Sequence, residues 1–156
     1  MSGKWDEAIR LLDDYYRRCA DNNPDKARME YLLAELYLEK QDTAQARHYL
    51  ILSSITDIAN AKKVYMSLQR LAILLYQQGD VARAYKYISC SLEDVSFGKA
   101  RYRIVDIAEY LPIIQAANDT RVKADEERVL LFLLILSALV LTLISAFFFI
   151  RKKNTK

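Results

Sequence analysis

The sequence predicts an all-α protein in which stacked helical hairpins precede a single membrane-crossing helix. Three observations carry this expectation. A string of residues recurs every 38 positions. One uncharged run, Val129 to Ile150, is 22 residues long. Only 3 glycines and 2 prolines occur in 156 residues, which is little punctuation for a sheet with tight turns.

The recurrence is concrete. Gly3-Lys4-Trp5-Asp6-Glu7-Ala8 returns as Gln41-Asp42-Thr43-Ala44-Gln45-Ala46, and again as Gly79-Asp80-Val81-Ala82-Arg83-Ala84. Leu12, Leu50 and Ile88 each follow the closing alanine by four residues, and Leu33-Ala34 matches Leu71-Ala72 at the same period. Leu38 matches Tyr76 in the same way. A repeat of this length implies supersecondary units that bury their apolar faces by stacking.

The elements follow in order. The chain opens on a helix bearing Trp5, Ile9 and Leu12, which reads as the second helix of a unit without its first. That apolar face is expected to be short of cover, and the chain is expected to be a fragment of a longer protein. Asn23-Pro24 is a start signal, because Asn caps a helix and Pro suits its first turn. Leu32, Leu33, Leu36 and Tyr37 then form an apolar stripe at three-four spacing, ending at polar Lys40. Asp42 and Asp80 stand where an Asp caps the following helix. Ala46 and Ala84 are expected at close helix–helix contacts. The repeat fades after Phe97-Gly98, and a new helix is expected from near Lys99. Pro112 should bend or end it, because it lacks a backbone donor. Helix is expected again from Ala116 into the apolar run.

That run reaches roughly 33 Å at about 1.5 Å per residue, enough to cross a hydrocarbon core of about 30 Å. A buried core helix rarely stays uncharged for so long. A secretory signal is excluded by the run's length and its C-terminal position. The expected domains are therefore repeats over residues 1–98, a juxtamembrane segment over 99–128, a transmembrane helix over 129–150 and a basic tail over 151–156.

The formal net charge of +3 hides an asymmetry. All 20 acidic residues precede Val129, while Arg151, Lys152, Lys153 and Lys156 follow Ile150. The region before the run carries 19 basic against 20 acidic residues, which implies no face for nucleic acid. Lys and Arg beside a span favour the cytoplasmic side. The tail is thus expected in the cytoplasm and the repeats in the periplasm.

Gly-x-x-x-x-Ala at the second helix, Leu-Ala in the first and aromatics between them resemble tetratricopeptide (TPR) units over residues 1 to 96. The sequence departs from that pattern in its 38-residue period, in Gln41 at the turn-glycine position and in Tyr15 where Ser53 and Ser91 keep a small side chain. The longer period is expected to lengthen helices or loops. The resemblance implies a concave groove lined by first helices, at Arg28, Tyr31 and Glu35, then Met66, Gln69, Ile73 and Tyr76. That mix suits a protein or peptide segment with apolar anchors. The Lys and Asn residues of the chaperone-binding carboxylate clamp are missing. A narrower resemblance lies in Arg101-x-Arg103, Ile107 and Leu111-Pro112-Ile113-Ile114, closing an array and entering a span. It is similar to Bacteroidetes single-pass transcriptional regulators with an extracytoplasmic TPR sensor. The functional expectation is therefore a membrane-anchored interaction and sensing module, in a bacterial inner membrane, belonging to a transmembrane regulator. The alternatives are a tail-anchored TPR adaptor facing the cytosol and an envelope scaffold.

Nothing suggests an enzyme. His48 is the lone histidine, and no phosphate loop, nucleophile elbow or metal-ligand cluster occurs. No cofactor is expected. Asp13-Asp14 and Glu93-Asp94 are sequence neighbours, so on a helix they diverge. Most of the 11 tyrosines suit packing between hairpins. Cys19 and Cys90 are expected as small buried apolar residues. Ala138, Thr142 and Ala146 share one helix face at four-residue spacing, which would let two spans approach closely in a homodimer.

Overall fold

The structure, a computed structural model, describes residues 2–20, 23, 25–60, 66–98 and 104–153. Within them all regular secondary structure is helical: α1 (Ser2–Arg18), α2 (Lys26–Glu39), α3 (Thr43–Ala59), α4 (Met66–Gln77), α5 (Val81–Gly98) and α6 (Ile104–Lys153). Pro24 and residues 99–103 lie outside the described residues, as do 154–156 of the tail. Two compact units result, Met1–Ala116 and Ala117–Lys156.

In the first unit, α2 packs on α3 and α4 on α5, giving two hairpins; α3 packs on α4 and α1 on α2. The second helix is the longer of each pair, 17 residues against 14 and 18 against 12. The two hairpin turns share their hydrogen bonds at the 38-residue period. Asp42 N–H donates to the Tyr37 carbonyl at 2.9 Å, as Asp80 does to Leu75 at 2.9 Å. This turn requires one left-handed residue. Gly79 fills it at φ 83°, and Gln41 at φ 61°. The departure from glycine at Gln41 thus keeps the turn, at a cost of about 1–2 kcal/mol for an L-residue. Both predicted caps are present. An Asp42 carboxylate oxygen accepts from Gln45 N–H at 3.0 Å, and one of Asp80 from Arg83 N–H at 3.1 Å.

The start of α2 differs from expectation. Its N-cap is Asp25, which makes no side-chain cap bond. Asn23 instead accepts from the Asp25 N–H at 2.8 Å, a local turn that competes with capping.

The core joins Ala34, Leu50, Leu71, Ala72, Leu74, Leu75, Ala84 and Ile88 with Ile114 from the start of α6. Ala46 and Ala84 are both fully buried, as close helix contacts require. Tyr31, Tyr49, Tyr76, Tyr85, Tyr87 and Tyr110 pack around that cluster. Ser53 takes the small position, its hydroxyl donating to the Ala27 carbonyl at 2.7 Å, whereas Tyr15 at the equivalent place in α1 is exposed. On α1, Ile9 is buried, and the uncovered apolar surface is Trp5, Leu11 and Tyr15.

Pro112, expected to bend or end the helix, does not end it: α6 runs through it for 50 residues. The carbonyl that Pro112 leaves unpaired belongs to exposed Ala108, so water can satisfy it. Cys90 is exposed rather than buried, and Cys19 is half-buried.

The second unit is the remainder of α6. Asp125 takes Arg121 at 3.8 Å and Arg128 at 3.4 Å along the helix surface. Beyond them the helix is long and apolar enough to cross a membrane, and its most apolar stretch is not buried at all. Ser137, Thr142 and Ser145 donate their hydroxyls to carbonyls of their own helix at 2.7–2.9 Å. These polar groups therefore need no outside partner, as a lipid environment demands.

Candidate functional site

The predicted groove residues come from α2 and α4, and the structure distributes them unequally. Arg28 is exposed, and Met66 is 43% exposed. Tyr31, Glu35 and Tyr76 are half-buried, with both tyrosines against the core. Gln69 and Ile73 are buried. The reason is the central place of α4, which packs against both α3 and α5.

Sequence reading missed Arg70. Its guanidinium grips the Glu35 carboxylate with two bonds, Nε to Oε1 at 3.0 Å and Nη2 to Oε2 at 3.3 Å. This bidentate pair links the first helices of successive hairpins across 35 residues, and its planar geometry resists sliding of α2 past α4. Beside it lies a small pocket of about 70 Å³ lined by Leu38, Arg70, Ile73, Leu74 and Gln77. Ile73 thus walls a pocket rather than standing free on a surface. Arg70 sits one residue from predicted Gln69; the missing signal was the 35-residue offset to an opposite charge, close to the repeat period.

A second polar arrangement holds α1 to the first hairpin. Buried Glu30 accepts from Tyr16 OH at 3.0 Å and from Thr56 OH at 2.9 Å, tying α1, α2 and α3 together. Tyr49 stacks on Tyr37 at 5.5 Å between ring centres and meets Tyr16 edge-on at 6.3 Å. His48 is exposed and touches only the Tyr49 ring among the aromatic side chains described. The predicted divergence of Asp13 and Asp14 holds. Asp13 takes Arg17 at 2.8 Å and the Tyr49 hydroxyl at 3.4 Å, while Asp14 takes Arg18. The side chains of Glu93 and Asp94 lie outside the described residues.

Burial, then the negative charge of Asp13, push the Tyr49 phenol up to about 12 from 10.0. A raised folded-state value means that this contribution to stability is complete below pH 10 and is lost as pH rises through about 12. Unfolding free energy should therefore fall between these limits, and by less in Tyr49→Phe. Urea titrations of both proteins across that window check this; parallel pH slopes would refute it.

This geometry is one of helix packing, ion pairs and aromatic contacts. Among the described residues, no group of three or more His, Cys, Asp or Glu side chains could hold a metal ion. What it presents is a helical-hairpin array with a charged, partly apolar first-helix face. Residues 1–109 match the family described as the SusR N-terminal TPR domain. The chain belongs to this family. Comparison with curated proteins gave no match. The SusR-type match falls on the repeats and reaches the start of α6, whereas the sequence resemblance to regulators rested on residues 99 to 153. Membership in a TPR family assigns the array a protein-interaction role in general terms.

Proposed function

We propose that this chain is the interaction and sensing part of a membrane-bound bacterial regulator, held by α6, and that it is not an enzyme. The observation that carries the reading is the joining of a SusR-type TPR array to a helix whose most apolar stretch is unburied among the described residues. Leu143 is 69% exposed, Phe149 73% and Leu141 67%. Each such side chain is worth about 1.5–3 kcal/mol on leaving water, so the whole stretch favours lipid by tens of kcal/mol. The TPR module stands in the periplasm and the basic tail in the cytoplasm, in an inner membrane.

The ligand is a protein or peptide segment on the first-helix face, with Arg28, Met66, Tyr31 and Tyr76 around the Glu35–Arg70 pair. The span pairs with a second copy through Ala138, Thr142 and Ala146. Photocrosslinking in cells tests both. A photoreactive side chain at Met66 should capture a protein partner, while one at Ile55, exposed on α3, should not. A photoreactive side chain at Ala138 should give an adduct of twice the chain mass. Capture from Ile55 but not Met66 would move the binding face, and only monomer from Ala138 would remove the dimer.

A further inference from the structure

Ile51, Ile55 and Ile58 stand in one row on the outside of α3. They are 41%, 58% and 57% exposed, and spacings of four and three residues put them on one helix face. Exposed Ala44 and Ala59 extend that face in both directions, with exposed His48 among them. The repeat itself does not require an apolar row there. One period earlier the same places hold Asp13, Arg17 and Ala20, and one period later Ser89, Glu93 and Ser96. Hairpins of this array thus form with mostly polar residues at these places, and the isoleucines of α3 serve a contact outside the hairpin.

We propose that this face pairs with the same face of a second copy across a two-fold axis. Charge decides the occupant. Apart from His48, the charged residues of α3 are Arg47 and Asp57. Both are engaged with other parts of the array: Arg47 Nη1 donates to Gln78 Oε1 at 3.4 Å, and Asp57 Oδ2 accepts from the Ser67 hydroxyl at 3.2 Å. The outward row is left without acidic or basic groups. A two-fold contact sets a surface against itself, so a charge on it would meet its like at a cost. An uncharged apolar row meets its own copy without that cost. A lipid surface fits less well, because helices that lie on membranes are rich in Lys and Arg along their polar face, and α3 has a single Arg.

Three isoleucines make a small contact beside the roughly 800 Å² per partner of a stable soluble dimer. Here the proposal rests on the membrane-anchored reading: α6 keeps the copies in one membrane, which raises their effective concentration, so a small contact suffices.

Photocrosslinking of the full chain in its native membrane tests the pairing. A photoreactive side chain at Ile58 should give an adduct of twice the chain mass. Capture on this face is of the chain's own copy, which separates it from capture of a foreign protein at Met66. A photoreactive side chain at Lys86, exposed at the place on α5 that corresponds to His48, should give no adduct. Ile51→Ser combined with Ile55→Glu, the residues of the next hairpin, should lower the Ile58 adduct roughly 10-fold or more, since burying one aliphatic side chain is worth about a factor of ten. The same variant should keep its thermal midpoint and its Ala138 adduct. The Ile58 adduct of the parent is a readout that stands even if the variant misfolds. Monomer alone from Ile58, a foreign protein captured there, or an adduct that survives the double substitution would overturn the pairing. Doubled mass from Ile58 with only monomer from Ala138 would remove the span contact and keep this one; the reverse would remove this one alone.

Discussion

Ile114→Ala should lower the unfolding free energy by about 2–5 kcal/mol, the cost of emptying a fully buried aliphatic site. Ile114 is wholly buried and belongs to the same cluster as Leu71, Leu75, Ala84 and Ile88. Its neighbours Tyr110 and Leu111 pack on that cluster, while Ile113 is 48% exposed. Ile113→Ala is therefore the control, with an effect within about 0.5 kcal/mol. Urea unfolding of the full chain in micelles measures both. Equal effects would mean that the start of α6 is not part of the folded array.

Ala84→Leu should cost about 1–3 kcal/mol through overpacking. Ala84 is fully buried on α5, in the core cluster with Ala72 and Leu75 of α4. A leucine adds three carbons where no space remains, so α4 and α5 must separate or the side chain must leave its rotamer. Ala46 occupies the same place in the preceding hairpin. The expected result is a lower thermal midpoint for Ala84→Leu, with Ala82→Leu, on the half-buried side of α5, affected less. Unchanged melting of Ala84→Leu would show that the recurring alanines are not tight contacts.

The hairpins were legible because their signals are local and repeated. Ala46 and Ala84, Asp42 and Asp80, and the left-handed turn position all follow from one period. The end of the array was less legible. Ile114 lies 38 residues after Tyr76 and 76 after Leu38, so the period continues, but Pro112 and the loss of the Leu-Ala pair obscured it. Helix continuity through Pro112 depends on exposure of Ala108, which no local pattern reports. The TPR resemblance placed Gln69 and Ile73 on a groove face, yet both are buried, because burial depends on how completely α4 is surrounded, a property of stacking. The Glu35–Arg70 pair joins different helices, and sequence neighbours do not reveal it.

The central claim is that α6 crosses a membrane with the TPR array on the periplasmic side. Engineered cysteines test it directly, in the full-length protein with Cys19 and Cys90 replaced by serine. Arg151, Lys152 and Lys153 directly follow the apolar run, whereas Arg121 to Arg128 mixes three basic with three acidic side chains, and dense basic flanks stay in the cytoplasm. A cysteine at Ser2 should react with a membrane-impermeant maleimide in spheroplasts, and one at Thr155 should react only after the membrane is opened. Labelling at Thr155 with protection at Ser2 would contradict the sensor arrangement and favour a cytosolic adaptor; labelling at both without permeabilisation would contradict a span.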